Sequence, residues 1–171
     1  MQKDFSYPLK IEELNQNEQT YKLKANKDEL EFLSEVLQVP SVNSFEVIIK
    51  LKFYKKKSLL EVWGTVCADI GLISVISLEP FNKMHKTDFK LTYDTTATYD
   101  EIKEQDVDIM VDIPDIIENG EINLADIAIE QIALILDDYP RKDGEVFEEV
   151  IEDVSPVKNT PFAILEQLKK K

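Results

Sequence analysis

The amino-acid sequence predicts an α+β domain: an antiparallel sheet, in its simplest form a meander, covered by two helices, with a short helix at the C-terminus. Three observations predict this class. Apolar and polar residues alternate over residues 43–94, the period of half-buried strands. Residues 27–37 and 124–137 carry an apolar helical pattern after a capping asparagine. With 171 residues, 43% of them hydrophobic, the chain can bury one core. A strongly curved, barrel-like sheet is the alternative.

The first elements are two strands and a helix. The patterns of residues 5–11 and 20–24 are typical of strands. Asn26 is positioned to cap a helix over 27–37, which presents an apolar stripe to the sheet, and Pro40 ends it. The stripe consists of Leu30, Leu33, Val36 and Leu37. This helix is therefore expected to cover one sheet face.

Four sequential strands follow in the central region. They are predicted over residues 45–53, 59–69, 72–78 and 86–94. The run Lys55-Lys56-Lys57 forms the first turn, and Pro80 stops the third strand. Short connections between successive strands favour antiparallel pairing.

The charge of the chain is concentrated in one segment. The formal net charge is −14, yet residues 99–153 contain nineteen acidic and three basic side chains. The remainder is slightly basic. Such a block repels nucleic acid and attracts basic proteins.

The chain divides into three parts. Residues 1–140 are predicted to form a single α+β domain, with its second helix over 124–137 capped by Asn123. Residues 141–158 are predicted to be an acidic linker. Residues 159–171 form a C-terminal helical motif with a short apolar face followed by lysines, which suits docking on a partner.

Chemistry-bearing residues are scarce. Cys67 is the single cysteine, so neither an intramolecular disulfide nor a four-cysteine zinc site is possible. The single histidine, His85, lies among lysines and is expected to be a solvated loop residue. No Gly-x-Ser-x-Gly elbow occurs, and four glycines form no phosphate-binding loop. We therefore predict no catalytic, cofactor-binding or metal-ligating residues, no cofactor and no enzymatic activity.

The sequence also predicts the compartment. The first eight residues lack the apolar core of a signal peptide, and no apolar run approaches the length of a membrane span. A cytoplasmic protein without membrane contact is expected.

Three short peptides carry a family resemblance. They are ISLEPF at residues 76–81, GEINLAD at 120–126 and NTPFAILEQLK at 159–169. In this order they resemble the YceD family, the large ribosomal RNA subunit accumulation proteins of bacteria and plastids. Many members carry a Cys-x-x-Cys pair just ahead of the Leu-x-Pro element. Here Ser74 and Ser77 stand in those positions, so thiolate metal ligands are absent there.

The resemblance implies a non-enzymatic ribosome biogenesis factor that supports synthesis, processing or stability of 23S ribosomal RNA. Because of the acidic segment, we expect its partner to be a basic ribosomal protein or an rRNA-processing factor, with RNA contacted indirectly. The predicted partner-binding residues come from the first and third peptides: Leu78, Glu79, Pro80, Phe81, Phe162, Leu165, Leu168 and Lys169.

Direct RNA binding through a Lys-rich sheet edge is the alternative. The chain has nineteen lysines but only one arginine, Arg141, and arginine is the usual reader of bases. Tight RNA recognition by this chain alone is thus disfavoured. The lysines expected at the edge are Lys50, Lys52, Lys55, Lys56, Lys57, Lys83, Lys86 and Lys90.

Overall fold

The structure, a computed structural model, describes residues 4–96 and 114–146. Within these residues it contains seven strands, two α-helices and three 3₁₀ turns. The strands and helices are β1 (Pro8–Lys10), β2 (Gln19–Lys24), α1 (Lys27–Val36), β3 (Ser41–Tyr54), β4 (Leu59–Ile73), β5 (Pro80–Asp94), β6 (Asp115–Ile116), β7 (Glu121–Asn123) and α2 (Leu124–Ala133). The class is α+β, as predicted.

The main sheet is open. Its five strands follow the order β2-β3-β4-β5-β6, in which β2 to β5 pair antiparallel and β6 pairs parallel with β5. Strands β1 and β7 form a separate antiparallel pair. Since β2 and β6 are edges within the described residues, the barrel-like alternative is wrong.

Three long strands replace the four predicted between residues 45 and 94. Strand β4 runs without interruption from Leu59 to Ile73, because its inward alternation continues through Ile70 and Leu72. The chain then reverses, so the predicted strand over 72–78 is wrong. Pro80 begins β5 instead of stopping a strand, at the first position, where a missing N–H is tolerated.

One face of this sheet forms the core with both helices. Helix α1 packs on β3, and α2 packs on β4 and β5. The largest fully buried side chains of the sheet and helices belong to one cluster: Phe45, Leu33, Ile49, Leu51, Leu60, Ile70, Leu124 and Ile132. The other face, called here the outer face, carries mostly polar residues. Each Å² of apolar surface removed from water contributes about 25 cal/mol, so this one-sided core is the main source of stability.

Helix α1 begins as its sequence predicts. The Asn26 side chain accepts hydrogen bonds from the backbone N–H groups of Asp28 (3.0 Å) and Glu29 (3.1 Å). The Glu29 carboxylate accepts one from the Asn26 N–H at 2.7 Å, which completes a capping box. The helix ends at Val36, and Gln38 takes a left-handed conformation with φ of 55°, so the reversal precedes Pro40.

Helix α2 begins at the predicted cap and ends early. The Asn123 side chain accepts from Ala125 N–H at 3.1 Å and from Tyr7 N–H at 2.8 Å, which ties the N-terminal segment to the helix. The regular helix stops at Ala133, because the following turn tightens to i→i−3 bonds. The predicted end at residue 137 is therefore wrong.

Two further expectations concern position. His85 lies within β5 and is buried with 6% of its surface exposed, so the prediction of a solvated loop residue is wrong.

The predicted helix within 159–171 lies outside the described residues. No helix in the described part of the chain is long and apolar enough to cross a membrane.

Candidate functional site

The reversal between β4 and β5 forms a compact tip, defined here as residues 74–79. Ser74 closes it: its N–H donates to the Glu79 carbonyl at 3.0 Å, and its carbonyl accepts from the Leu78 N–H at 2.9 Å. The Ser74 hydroxyl oxygen accepts from the N–H groups of Ile76 (3.1 Å) and Ser77 (3.3 Å). Because this buried hydroxyl satisfies two backbone donors, a short polar side chain is required at position 74.

Residues 140–146, called here the docked segment, pack against the tip. The Val75 N–H donates to the Pro140 carbonyl at 2.9 Å. The Ser74 hydroxyl donates to the Glu145 carboxylate, and the Lys142 ammonium pairs with the Glu79 carboxylate. These contacts join residues more than sixty positions apart in sequence, so the beginning of the predicted acidic linker is attached to the tip.

The electrostatics of this attachment favour an ionised Glu145. Hydrogen bonds from the hydroxyls of Ser74 and Ser77 hold the pKa of the Glu145 carboxyl below its usual range, and the Lys142 N–H at 3.1 Å and the Lys142 charge act in the same direction. Ser74 and Ser77, which stand where many members of the resembled family have a cysteine pair, thus converge on one carboxylate. The arrangement holds residues 140–146 against the tip.

The predicted residues of the tip have different environments. Leu78 is 76% exposed and has a φ of 58°, so it projects from the turn. Glu79 is engaged by Lys142, and Pro80 opens β5 at the surface. Phe81 is half-buried against the core. The other predicted contacts, Phe162, Leu165, Leu168 and Lys169, lie outside the described residues and stay predictions.

A groove opens next to the tip, where the C-terminal ends of both helices meet the end of β4. It has a volume of about 610 Å³ and is called here the acidic groove. Its walls include the exposed apolar side chains of Val36 (46% exposed) and Ile73 (48%) and the exposed carboxylates of Asp137 and Asp138. Pro140 of the docked segment completes the wall, so the groove and the tip form one continuous surface.

The potential of this groove is negative for two reasons. Neither helix has a basic residue in its last turn, so the partial negative charge of both C-termini is uncompensated there. The Asp137 and Asp138 carboxylates add to it, although Lys83 lies 3.9 Å from Asp137. A groove with apolar walls and a negative rim is complementary to a segment that carries apolar and basic side chains.

The structure divides the predicted lysines between an interior strand and an open strand edge. Lys50 and Lys52 lie on β3, an interior strand. Lys83, Lys86 and Lys90 lie on the part of β5 that pairs, within the described residues, with β4 alone. Their register puts all but Lys83 on the outer face, whereas Lys83 points to the helix side near Asp137. The run Lys55–Lys57 forms the predicted turn.

Several residues of these surfaces were not predicted from the sequence. The sequence predicts that Glu145 belongs to the acidic linker and Val36 to the apolar stripe of α1, yet Glu145 contacts Ser74 of the tip and Val36 lines the groove. Within the residues that the structure describes, no group of three or more His, Cys, Asp or Glu side chains could hold a metal ion. Cys67 is a half-buried free thiol.

Comparison with known proteins gives one match. The family model described as large ribosomal RNA subunit accumulation protein YceD matches residues 62–169. This range is more than half of the chain and includes the tip, α2 and the docked segment. Comparisons with curated proteins and with solved structures found no match. On the extent of the family match, the chain belongs to the YceD family.

Proposed function

We propose that this protein is a non-enzymatic ribosome biogenesis factor of the cytoplasm that supports synthesis, processing or stability of 23S ribosomal RNA. The observation that carries the proposal is the family match over residues 62–169, since the family is named for accumulation of the large-subunit ribosomal RNA. The geometry is consistent with a binding protein, because the tip and the groove offer surfaces for recognition.

The partner that fits the acidic groove is a basic protein, namely a ribosomal protein or an rRNA-processing factor. Lysine or arginine side chains of that partner would approach Asp137, Asp138 and the two helix C-termini. An apolar side chain would enter between Val36 and Ile73. Full burial of one such side chain contributes about 1.5–3 kcal/mol, so the apolar anchor gives affinity while the charges give partner selection.

The function is tested by depleting the protein in its native host and measuring the ratio of large- to small-subunit ribosomal RNA. We expect a selective fall in the large-subunit species that re-expression of the wild-type chain restores. An unchanged ratio with normal subunit profiles would refute the proposed function.

The groove is tested in the same depleted cells with the double variant Val36→Lys/Asp138→Lys. It replaces one exposed apolar and one acidic groove residue with lysines, and it is expected to fail to restore the ratio. A lysine at the end of α1 also suits the helix dipole, so folding is not impaired. The matched control, Glu12→Lys/Glu13→Gln, makes the same change in net charge at exposed residues of the first 3₁₀ turn and should restore the ratio. Equal rescue by both variants would exclude the groove.

A further inference from the structure

A transverse row of residues on the outer face places the tryptophan between two lysines. Thr20 on β2 pairs with Lys50 on β3, Lys50 with Trp63 on β4, and Trp63 with Lys90 on β5. Residues in register on adjacent strands have side chains on the same face. The backbones of Lys50 and Lys90 are two strand spacings apart, which is about 10 Å. The two ammonium groups can therefore contact a ligand on opposite sides of the indole.

This row lies in an open groove. Trp63 is partly exposed and lines a concavity of about 560 Å³ together with Ile48, the lysines Lys50 and Lys90, and the carboxylates of Glu61 and Asp88. Both helices pack on the opposite face of the sheet, and Ile48 is 46% exposed. Within the described part of the chain the indole is therefore accessible from the outer side.

Lysines are concentrated on the outer face, although the whole chain carries a formal net charge of −14. Six lysines of β2, β3 and β5 lie there: Lys22, Lys24, Lys50, Lys52, Lys86 and Lys90. Five carboxylates of β3, β4 and β5 share that face: Glu46, Glu61, Asp69, Asp88 and Asp94. Of the ion pairs next to the tryptophan, Lys50–Glu18 (3.1 Å) is solvent-exposed and Lys90–Glu61 (3.8 Å) is partly exposed. Such surface pairs contribute little to stability, so an incoming phosphate can displace the carboxylates.

We infer that the outer face binds single-stranded RNA, with one base stacked on Trp63 and the flanking phosphates held by Lys50 and Lys90. On the protein, a flat indole lies between two cations; in single-stranded RNA, a flat base lies between two phosphates. The two arrangements match, whereas an acidic peptide offers the negative charges without the ring. Lysine contacts phosphate as a point charge, so binding without sequence preference is expected, and the shortage of arginine is no obstacle. The choice of RNA over DNA rests on the proposed function.

The single tryptophan of the chain gives a direct readout. The full-length protein is titrated with a 12-nucleotide oligouridine at 50 mM NaCl while Trp63 fluorescence is followed. Saturable quenching is expected. Two phosphate contacts predict a slope of about −1.4 in a plot of log K against log salt, which is roughly a sevenfold loss of affinity between 50 and 200 mM. Absence of quenching, or quenching by oligoglutamate at equal concentration, would overturn the assignment of RNA.

Variants locate the site, with binding followed by anisotropy of labelled oligouridine. Trp63→Ala is expected to weaken affinity by roughly 5- to 150-fold, and Trp63→Phe, which keeps a ring, by less. Lys50→Gln/Lys90→Gln should bring the salt slope close to zero. The charge-matched control Lys10→Gln/Lys27→Gln, at exposed residues of β1 and α1, should bind like the wild type. Wild-type affinity in the Trp63→Ala and Lys50→Gln/Lys90→Gln variants would place RNA elsewhere and overturn the inference.

The outcomes separate this inference from the proposed function. A selective rRNA defect on depletion without RNA binding in solution would leave the proposed function intact and refute the inference. RNA binding at Trp63 with an unchanged rRNA ratio would support the inference and refute the proposed function.

Discussion

Burial of a single imidazole makes the stability of this fold depend on pH near neutrality. His85 lies on the core side of β5, and its Nδ1 is 3.1 Å from the Lys83 carbonyl oxygen. Its buried Nε2 has no hydrogen-bond partner within the described structure. Burial is the main cause that lowers the pKa of His85 below 6.5, and the charge of Lys83 also lowers it. The hydrogen bond to the Lys83 carbonyl and the carboxylates of Asp137 and Asp69 raise the pKa, but they do not outweigh burial.

The direction of the pH effect follows from this lowered pKa. Below pH 6.5 the unfolded chain binds a proton at His85 that the folded chain does not, so the free energy of unfolding falls as the pH is lowered through this window. One proton corresponds to at most about 1.4 kcal/mol per pH unit. Urea unfolding at pH 7.5, 6.5 and 5.5 measures the slope.

The matched variant is His85→Leu, which removes both the titration and the unpartnered nitrogen. It is expected to flatten the dependence between pH 7.5 and 5.5 and to lie within about 1 kcal/mol of the wild type at pH 7.5. An undiminished slope in the variant would assign the pH effect to another group.

At the level of elements, local chemistry was predictable and long-range contacts were not. The starts of α1 and α2 were predicted because a capping asparagine acts within three residues of its own position. The end of α2 was missed, since Leu134 and Leu136 continue the apolar pattern beyond the last regular turn. The outward position of Trp63 was implicit in the alternation of β4, in which Val62 and Val66 are inward. The contact of Ser74 with Glu145 spans 71 residues and has no local signal.

The attachment of the docked segment to the tip is expected to depend on Glu145. Glu145→Gln removes the charge that accepts the hydroxyls of Ser74 and Ser77, so residues 140–146 should detach more often. Trypsin cleavage after Arg141 and Lys142 should then become several-fold faster at pH 8. The control Asp143→Asn removes the same charge from an exposed neighbour and should cleave like the wild type.

Acidification should have the same effect as Glu145→Gln. The lowered pKa of Glu145 means that its contribution is present above the unfolded value of 4.5 and is lost as the pH falls through the folded value. Hydrogen exchange of the Val75 amide, which donates to Pro140, reports this loss in the wild type. Equal cleavage of Glu145→Gln and Asp143→Asn would show that other contacts hold the segment.

At the scale of the whole molecule, the acidic groove and the row of Lys50, Trp63 and Lys90 lie on different surfaces. The acidic groove is at the helix ends beside Ile73, and the lysine row crosses the outer face at Trp63. These two residues are ten positions apart on β4, which is roughly 30 Å along an extended strand. The sequence predicts that acidic and basic residues are segregated along the chain, but only the sheet register places Lys50 and Lys90 beside one indole.

This separation predicts that the two surfaces bind independently. The Debye length at 150 mM salt is about 8 Å, so a charge change at one surface is screened before it reaches the other. Val36→Lys/Asp138→Lys should therefore leave the affinity for oligouridine within about twofold of the wild type, because the groove lies several Debye lengths from the indole. Lys50→Gln/Lys90→Gln should likewise preserve the affinity for a labelled peptide of alternating lysine and leucine. Separate anisotropy titrations at 150 mM salt measure both affinities. If each variant altered both affinities equally, binding would depend on the overall field of the protein and not on two defined surfaces.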